Sequence, residues 1–252
     1  MSASLNRAPD LVIDGSLGPA PNTIRSSPTT NYQIDLPSGG VFYNGKRNIT
    51  VSPFLADHIC ELHAAFQHTS PYEKDRAIVN TVNKCVHDFD AFTMTVGDFK
   101  FLAYWLQLNS YKKSPKIIQW EYDRNGQHYR AQTQVQLTSF TVKELNRHKK
   151  PKDKRFFWRS ITDHLALQEI TNPTDKYFAE FASFLVGKDL DEKIKVLKSM
   201  PADAMLDIID HKNEFDHGIF EVAKVRDPGN VEAGDFEVTV SLNFSDMFPT
   251  LY

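Results

Sequence analysis

The spacing of apolar and polar residues shifts between a helical and a strand period along this chain, and each shift marks a change of element. From Leu55 to Gln67 the apolar positions Ile59, Leu62, Ala65 and Phe66 recur at helical spacing. Ser70-Pro71-Tyr72-Glu73 then sets a capping serine three residues ahead of a glutamate, with proline at the first helical position. That pattern predicts a helix to about Val86, buried through Ile78, Val79, Val82 and Val86. Thr95 and Asp98 start a third helix over Phe99 to Asn109. Phe99, Leu102, Ala103 and Leu106 take one face of it, and Phe101, Tyr104, Trp105 and Leu108 cover most of the rest. A helix that is apolar all round belongs in the middle of a fold.

The period then shortens. Lys116 to Asp123 reads as a strand, Arg124-Asn125-Gly126-Gln127 as a turn, and His128 to Leu137 as the returning strand. Helices resume after Phe156-Phe157-Trp158, the first running to about Glu169. Asn172-Pro173-Thr174-Asp175 starts the next, Gly187 stops it, and Tyr177, Phe178, Phe181, Phe184 and Leu185 form its apolar stripe. Asp191 to Met200 and Ala202 to Lys212 are two further amphipathic helices, separated at Pro201. Gly218 to Val225 and Asp235 to Phe244 read as a closing hairpin around Asp227-Pro228-Gly229-Asn230. In its last strand Phe236, Val238, Val240, Leu242 and Phe244 alternate with polar residues, the mark of one buried face.

Ahead of the helices lies the stretch Leu36 to Phe54, flanked by β-type runs at Tyr32–Leu36 and Asn48–Val51. Pro37, Gly39 and Gly40 punctuate it, and Asn44-Gly45 supplies the two positive-φ positions of a tight hairpin turn. It reads as a hairpin that opens the folded body. Residues 1–31 hold Pro9, Pro19, Pro21 and Pro28 and few large apolar groups, too little surface to offset the entropy of ordering. They read as a disordered tail, or as an arm that orders on a partner with Leu11, Val12, Ile13 and Leu17 as its candidate anchor.

The expected fold is α+β and mainly helical, in two consecutive halves that each end in a small antiparallel hairpin. Residues 32–142 form the first half, 143–155 a basic linker, and 156–252 the second half. Helices followed by a hairpin occur twice, a structural echo without aligned residue identities.

Composition narrows the function. The chain has 252 residues, with 41% hydrophobic and 24% charged, enough for a buried core. A net charge of −3 argues against a wholesale nucleic-acid binder but leaves room for a local basic patch. Lys143, Arg147, Lys149, Lys150, Lys152, Lys154, Arg155 and Arg159 form such a patch, just before and around three aromatic residues. Lysines and arginines neutralise phosphates and aromatics stack bases, so this bridge is the nucleic-acid candidate. The plainer reading is a solvated linker whose aromatics join the next core, and the same charges suit an acidic protein surface. No apolar run approaches the length of a membrane span, and Met1 to Asp10 contains no hydrophobic signal core, so a cytoplasmic origin is expected.

Enzyme signatures do not emerge. The chain carries no phosphate-binding loop, no G-x-S-x-G elbow and no H-E-x-x-H pair. Cys60 with His63 and Cys85 with His87 were weighed as zinc ligands, but their spacing fits no zinc pattern and buried free thiols are the simpler reading. Asp163-His164, Asp210-His211 and Asp216-His217 look like carboxylate–imidazole pairs, yet neighbours on a helix point apart, which predicts surface polar groups. No catalytic residue, metal ligand or cofactor site is assigned.

An ordered series of short motifs adds a resemblance. Leu36-Pro-Ser-Gly-Gly-Val-Phe-Tyr43, Val51-Ser-Pro-Phe54, Asp98-Phe-Lys-Phe-Leu102, Asn109-Ser-Tyr111, His217-Gly218 and Phe248-Pro249 follow one another along the chain. In this order they resemble the baseplate hub and hub-assembly proteins of T-even-type contractile-tailed bacteriophages, over about residues 32–250. The resemblance implies hairpins like small zinc ribbons. Here neither Gln119–Gly126 nor Lys224–Asn230 has a cysteine, so such ribbons would lack metal, with Trp120, Tyr122 and Tyr129 filling the first site by packing. It implies a non-enzymatic structural protein of the virion baseplate, assembled in the host cytoplasm and present in several copies. Its partners would be other baseplate and hub proteins, with the tail tube or tape-measure protein as further possibilities. The alternatives are a transient assembly chaperone and a nucleic-acid-binding module using the basic linker. Phe42, Tyr43, Lys149, Lys150 and Lys152, with the four arm anchors, are the candidate partner-binding residues.

Overall fold

The computed structural model describes residues 30–110, 115–136, 140–145, 150, 154–220, 222–240, 243–244 and 248. The arm anchors Leu11, Val12, Ile13 and Leu17, and the linker residues Lys149 and Lys152, lie outside the described residues.

Strands β1 (Tyr32–Asp35) and β2 (Asn48–Val51) pair antiparallel and open the body. Asn44 and Gly45 do take positive φ, 52° and 86°. They form the expected two-residue turn, with the Lys46 N–H donating to the Tyr43 carbonyl at 3.0 Å, but it sits inside a longer loop and does not join β1 directly to β2. The ladder stops at Leu36, whose N–H donates to the Arg47 carbonyl at 2.7 Å, and residues 37–46 form a wide loop. That loop folds back into the molecule, because Phe42 and Tyr43 find aromatic and polar partners there.

Helices α1 (Ala56–Ala65) and α2 (Pro71–Asn83) follow. Ser70 caps α2 by accepting the Glu73 N–H, as the sequence pattern predicts. Helix α3 (Val96–Ser110) is the central element, with Gly97, Asp98, Phe99 and every residue from Phe101 to Gln107 buried. Its all-round apolar surface is matched by neighbours on all sides. Strands β3 (Pro115–Arg124) and β4 (Gln127–Gln136) form a long ribbon, with Trp120 opposite Ala131 and Tyr122 opposite Tyr129. Here Asn125 and Gly126, at φ 51° and 75°, do make the two-residue turn.

After β5 (Thr141–Lys143) come α4 (Ile161–Glu169), α5 (Pro173–Ala182), α6 (Leu190–Ser199) and α7 (Ala204–Glu214). Ser160, Asn172 and Asp189 cap the first three through side-chain oxygens. Strands β6 (Gly218–Phe220), β7 (Val222–Arg226) and β8 (Asp235–Thr239) close the described chain. Strand β6 pairs with β5, and β7 pairs with β8. The fold is therefore mixed α and β, with seven α-helices and small antiparallel two-stranded sheets among the described residues.

The hydrophobic residues gather into two clusters that are not consecutive in the chain. The first joins β1, β2, the first three helices and the β3–β4 ribbon to Ile161 and Leu165 of α4 and to Ile219, Ala223, Val225, Val240, Phe244 and Phe248. The second holds Phe156, Trp158, Leu167 and the buried faces of α5, α6 and α7. The closing hairpin, expected to complete a second half, instead packs on the first cluster. Aromatic area explains the return: Phe236 lies 5.1 Å from the Trp120 ring and 4.6 Å from Tyr122, and Phe244 lies 4.7 Å from Phe99. The Tyr122 hydroxyl fastens the two hairpins by donating to Asp227 at 2.7 Å.

Candidate functional site

The two clusters meet where the 37–46 loop, the start of α3 and the His217-Gly218 corner come together. Thr95 caps α3, its hydroxyl accepting the Asp98 N–H at 3.2 Å. In a complete capping box the Asp98 carboxylate would reach back to the Thr95 N–H. Here Tyr43 stands between them. Its hydroxyl accepts the Thr95 N–H at 2.7 Å and donates to Asp98 Oδ2 at 2.7 Å. Asp98 Oδ1 is left to accept the Ser38 N–H at 2.9 Å, which pins the loop to the helix.

His217 completes the network. Its Nδ1 lies 2.8 Å from the Phe215 carbonyl, which only accepts, so Nδ1 carries the proton. In the neutral ring Nε2 then accepts the Thr95 hydroxyl proton at 2.8 Å. Thr95, Asp98 and His217 are all buried. Burial, then the nearby Asp98 charge, push the Tyr43 phenol well above its ordinary pKa, so it stays a donor. Phe42 stacks on the His217 ring at 5.5 Å and meets Phe157 edge-on at 5.2 Å. Phe42 and Tyr43, both half-buried, thus make their contacts within the chain and join the two clusters. Two glycines permit the close crossing. A Cβ on Gly97 would stand 2.4 Å from the His217 carbonyl oxygen, and one on Gly218 2.5 Å from that of Gly97.

Beside this network opens a cleft of about 450 Å³, to which α3, α7 and strands β6 to β8 all contribute. Lys100, Arg159, Lys212 and Asp216 line it together with Trp158 and Phe184. Arg159 is held in place: Nε donates to the Ser183 hydroxyl at 2.8 Å, Nη2 to the Glu180 carbonyl at 3.3 Å, and the guanidinium lies 5.1 Å from the Phe184 ring centre. Burial lowers its pKa, against the pull of Glu180 and Asp163. Asp216 pairs with Lys143 at 2.9 Å.

The basic bridge is thus partly turned inward, with Lys143 and Arg159 engaged and Lys150 and Lys154 exposed. Of its aromatics, Phe156 and Trp158 belong to the second cluster, and Phe157 meets Phe42. Sequence reasoning missed Lys100 and Lys212, which are scattered in the chain and carry no motif. Arg159 stood in the bridge but was not separated from its neighbours.

The three Asp-His pairs were expected on the surface, and each instead splits between interior and exterior. Asp163 is buried against Lys193 at 2.6 Å, while His164 is half-buried. His211 and His217 are buried, whereas Asp210 and Asp216 are exposed. Asp163-His164 and Asp210-His211 obey the neighbour rule on helices, whereas Asp216-His217 lies in the corner after α7; in each pair one member is chosen for the core. Burial lowers the His211 pKa, opposed by the Phe157 carbonyl and Glu214.

Cys85 lies 3.4 Å from His58 Nδ1, a distance reminiscent of a nucleophilic pair. Burial and then the Asp57 and Glu61 charges push its thiol up to about 12, away from the reactive thiolate. His58 Nδ1 is in any case the acceptor of the Leu55 N–H, a cap for α1. Cys60, expected to be buried, is exposed because it falls on the outer side of α1. Among the described residues no three His, Cys, Asp or Glu side chains gather where they could hold a metal ion. No helix among them is long and apolar enough to cross a membrane.

No protein-family model, curated protein or solved structure matches this chain.

Proposed function

We propose that this chain is a structural protein of a contractile phage tail baseplate, in the hub region, acting by protein–protein docking during tail assembly. The observation that carries the reading is a convergence. Ser38 and Tyr43 from the first motif of the series, Asp98 from the third and His217 from the fifth meet in one hydrogen-bonded network. Motifs spread along the chain thus act together as one structural signature, which supports treating the resemblance as a whole.

The docking part draws on the surface. Six large hydrophobic side chains are exposed among the described residues, and five of them, Tyr177, Val186, Val196, Leu206 and Ile209, lie between α5 and α7. Leu55 is the sixth, so the exposed large apolar side chains among the described residues concentrate on one module, which favours contact with a neighbour. In this reading the two ribbons are zinc-ribbon-type elements without metal. Trp120 stacks on Tyr122 at 5.2 Å and Tyr122 on Tyr129 at 5.1 Å, so packing takes the place that a metal would hold. Zinc found in the purified protein by elemental analysis would overturn that part.

Mass spectrometry of purified tails tests the main reading. The protein is expected in mature particles at a fixed ratio to the baseplate proteins. Its presence only in assembly intermediates would instead make it a chaperone.

A further inference from the structure

We infer that the cleft between the two clusters is a docking site for an acidic segment of a protein partner, with a carboxylate received by Arg159 and flanked by Lys212. This deepens the docking function proposed above and rests on it.

Charge is the first argument. Arg159 and Lys212 line the cleft, and its one lining carboxylate among the described residues, Asp216, is already paired with Lys143. The result is a locally positive recess on a chain whose net charge is −3. Such a contrast selects an anionic partner and speeds its approach.

The second argument is the state of Arg159. Two of its nitrogens are spent on Ser183 and Glu180, and Phe184 supports its plane, so the side chain is fixed before any partner arrives. Its Nη1 has no protein acceptor among the described residues. A preorganised guanidinium loses little freedom on binding and suits a planar carboxylate. Being half-buried, it also gains more from a counter-charge than a fully exposed lysine would.

The cleft favours a peptide over a nucleic acid. The Trp158 ring is already packed against Phe184 at 5.2 Å and His217 at 5.2 Å, and Trp158 and Phe184 are both buried. No aromatic face is thereby offered for base stacking, on which single-stranded binding depends. The same rings give a firm apolar floor for a side chain beside the acid.

The test uses the purified full-length chain and a fluorescein-labelled decaglutamate peptide, read by anisotropy, with an oligothymidylate of equal length for comparison. Saturable peptide binding is expected, weakened by raised salt because the charges are partly screened. Lys212→Glu, at an exposed position, is expected to weaken it at least about tenfold with an unchanged thermal melt. Arg159→Lys should lose a comparable factor, since one ammonium cannot keep the bonds to Ser183 and Glu180 and at the same time place a donor where Nη1 stands. Absence of peptide binding, unchanged affinity in Lys212→Glu, or tighter binding of the oligothymidylate would overturn the inference. Absence of the protein from tails would remove the baseplate reading without touching the peptide result, so the two fail separately.

Discussion

The first cluster takes its core from both ends of the described chain, from Ile34 to Phe248, whereas the second is built from residues 156–215. Val41, Phe42 and Leu145 pack against the second from elsewhere in the chain. The first cluster closes on itself with long-range aromatic contacts, and the second keeps its neighbours local and leaves apolar side chains outside. Their buried ionisable groups differ as well. The first holds Cys85, Tyr43 and Tyr104, whose neutral forms burial favours. The second holds neutral His211 against Phe156 and Phe215, and Lys193 reaches Asp163 at its border with α4. A region that leaves only Leu55 exposed among its described large apolar side chains behaves as a scaffold. One that leaves apolar groups exposed is suited to meeting a partner.

The strongest way to probe this contrast is to open each region in turn. Phe99→Ala removes a fully buried ring from the centre of the first cluster and should cost about 4 kcal/mol, measured by urea unfolding. Because α4 spans both clusters, hydrogen exchange should show both regions loosening together. If the second cluster kept its protection, the two would be separate units.

Lys193→Ala leaves the Asp163 carboxylate buried without its cation and should cost about 3 kcal/mol. Replacing Lys193 with Met and Asp163 with Leu together should recover most of that loss. Tyr43→Phe deletes one donor and one acceptor from the junction network. Roughly 1–3 kcal/mol is expected, with larger exchange at the Thr95 and Ser38 amides.

The pH response should separate the regions by sign. His211 has a folded pKa below its unfolded value, so its stabilising contribution is present above about pH 6.5 and lost as the pH falls. Cys85 has a folded pKa raised from 9.0 to about 12, so its contribution is complete below pH 9 and lost as the pH rises toward 12. Tyr43 and Tyr104, raised above 10.0, add to the alkaline loss. Hydrogen exchange in mild acid is therefore expected to rise first around α7, and in alkali first around α2 and α3. His211→Gln should flatten the acid limb alone. The smallest effect belongs to the exposed stripe: Leu206→Ser should shift stability by no more than about 0.5 kcal/mol while weakening association with partners.

Much of this architecture was legible in the chain. Helical spacing and capping pairs located the helices, and Asn125-Gly126 fixed the turn of the β3–β4 ribbon. The cleft was legible only in part, because Lys100, Arg159 and Lys212 sit on separate elements and share no motif. Asn44-Gly45 shows the limit of local signals. Its dihedrals were predictable, but the wide loop around it was set by what Phe42 and Tyr43 could reach.

Sequence by itself determined the identity and order of the elements, since period, caps and turn residues act within a few positions of one another. It also determined that α3 must be enclosed, because no face of it suits water. Only the tertiary structure decided which elements enclose it. The closing hairpin could have completed a second half; it joined the first cluster because Trp120, Tyr122 and Phe99 offered the larger aromatic surface to Phe236 and Phe244. Tertiary structure likewise chose which member of each Asp-His pair went inside, as only the assembled interior supplies Lys193 for Asp163 and Thr95 for His217.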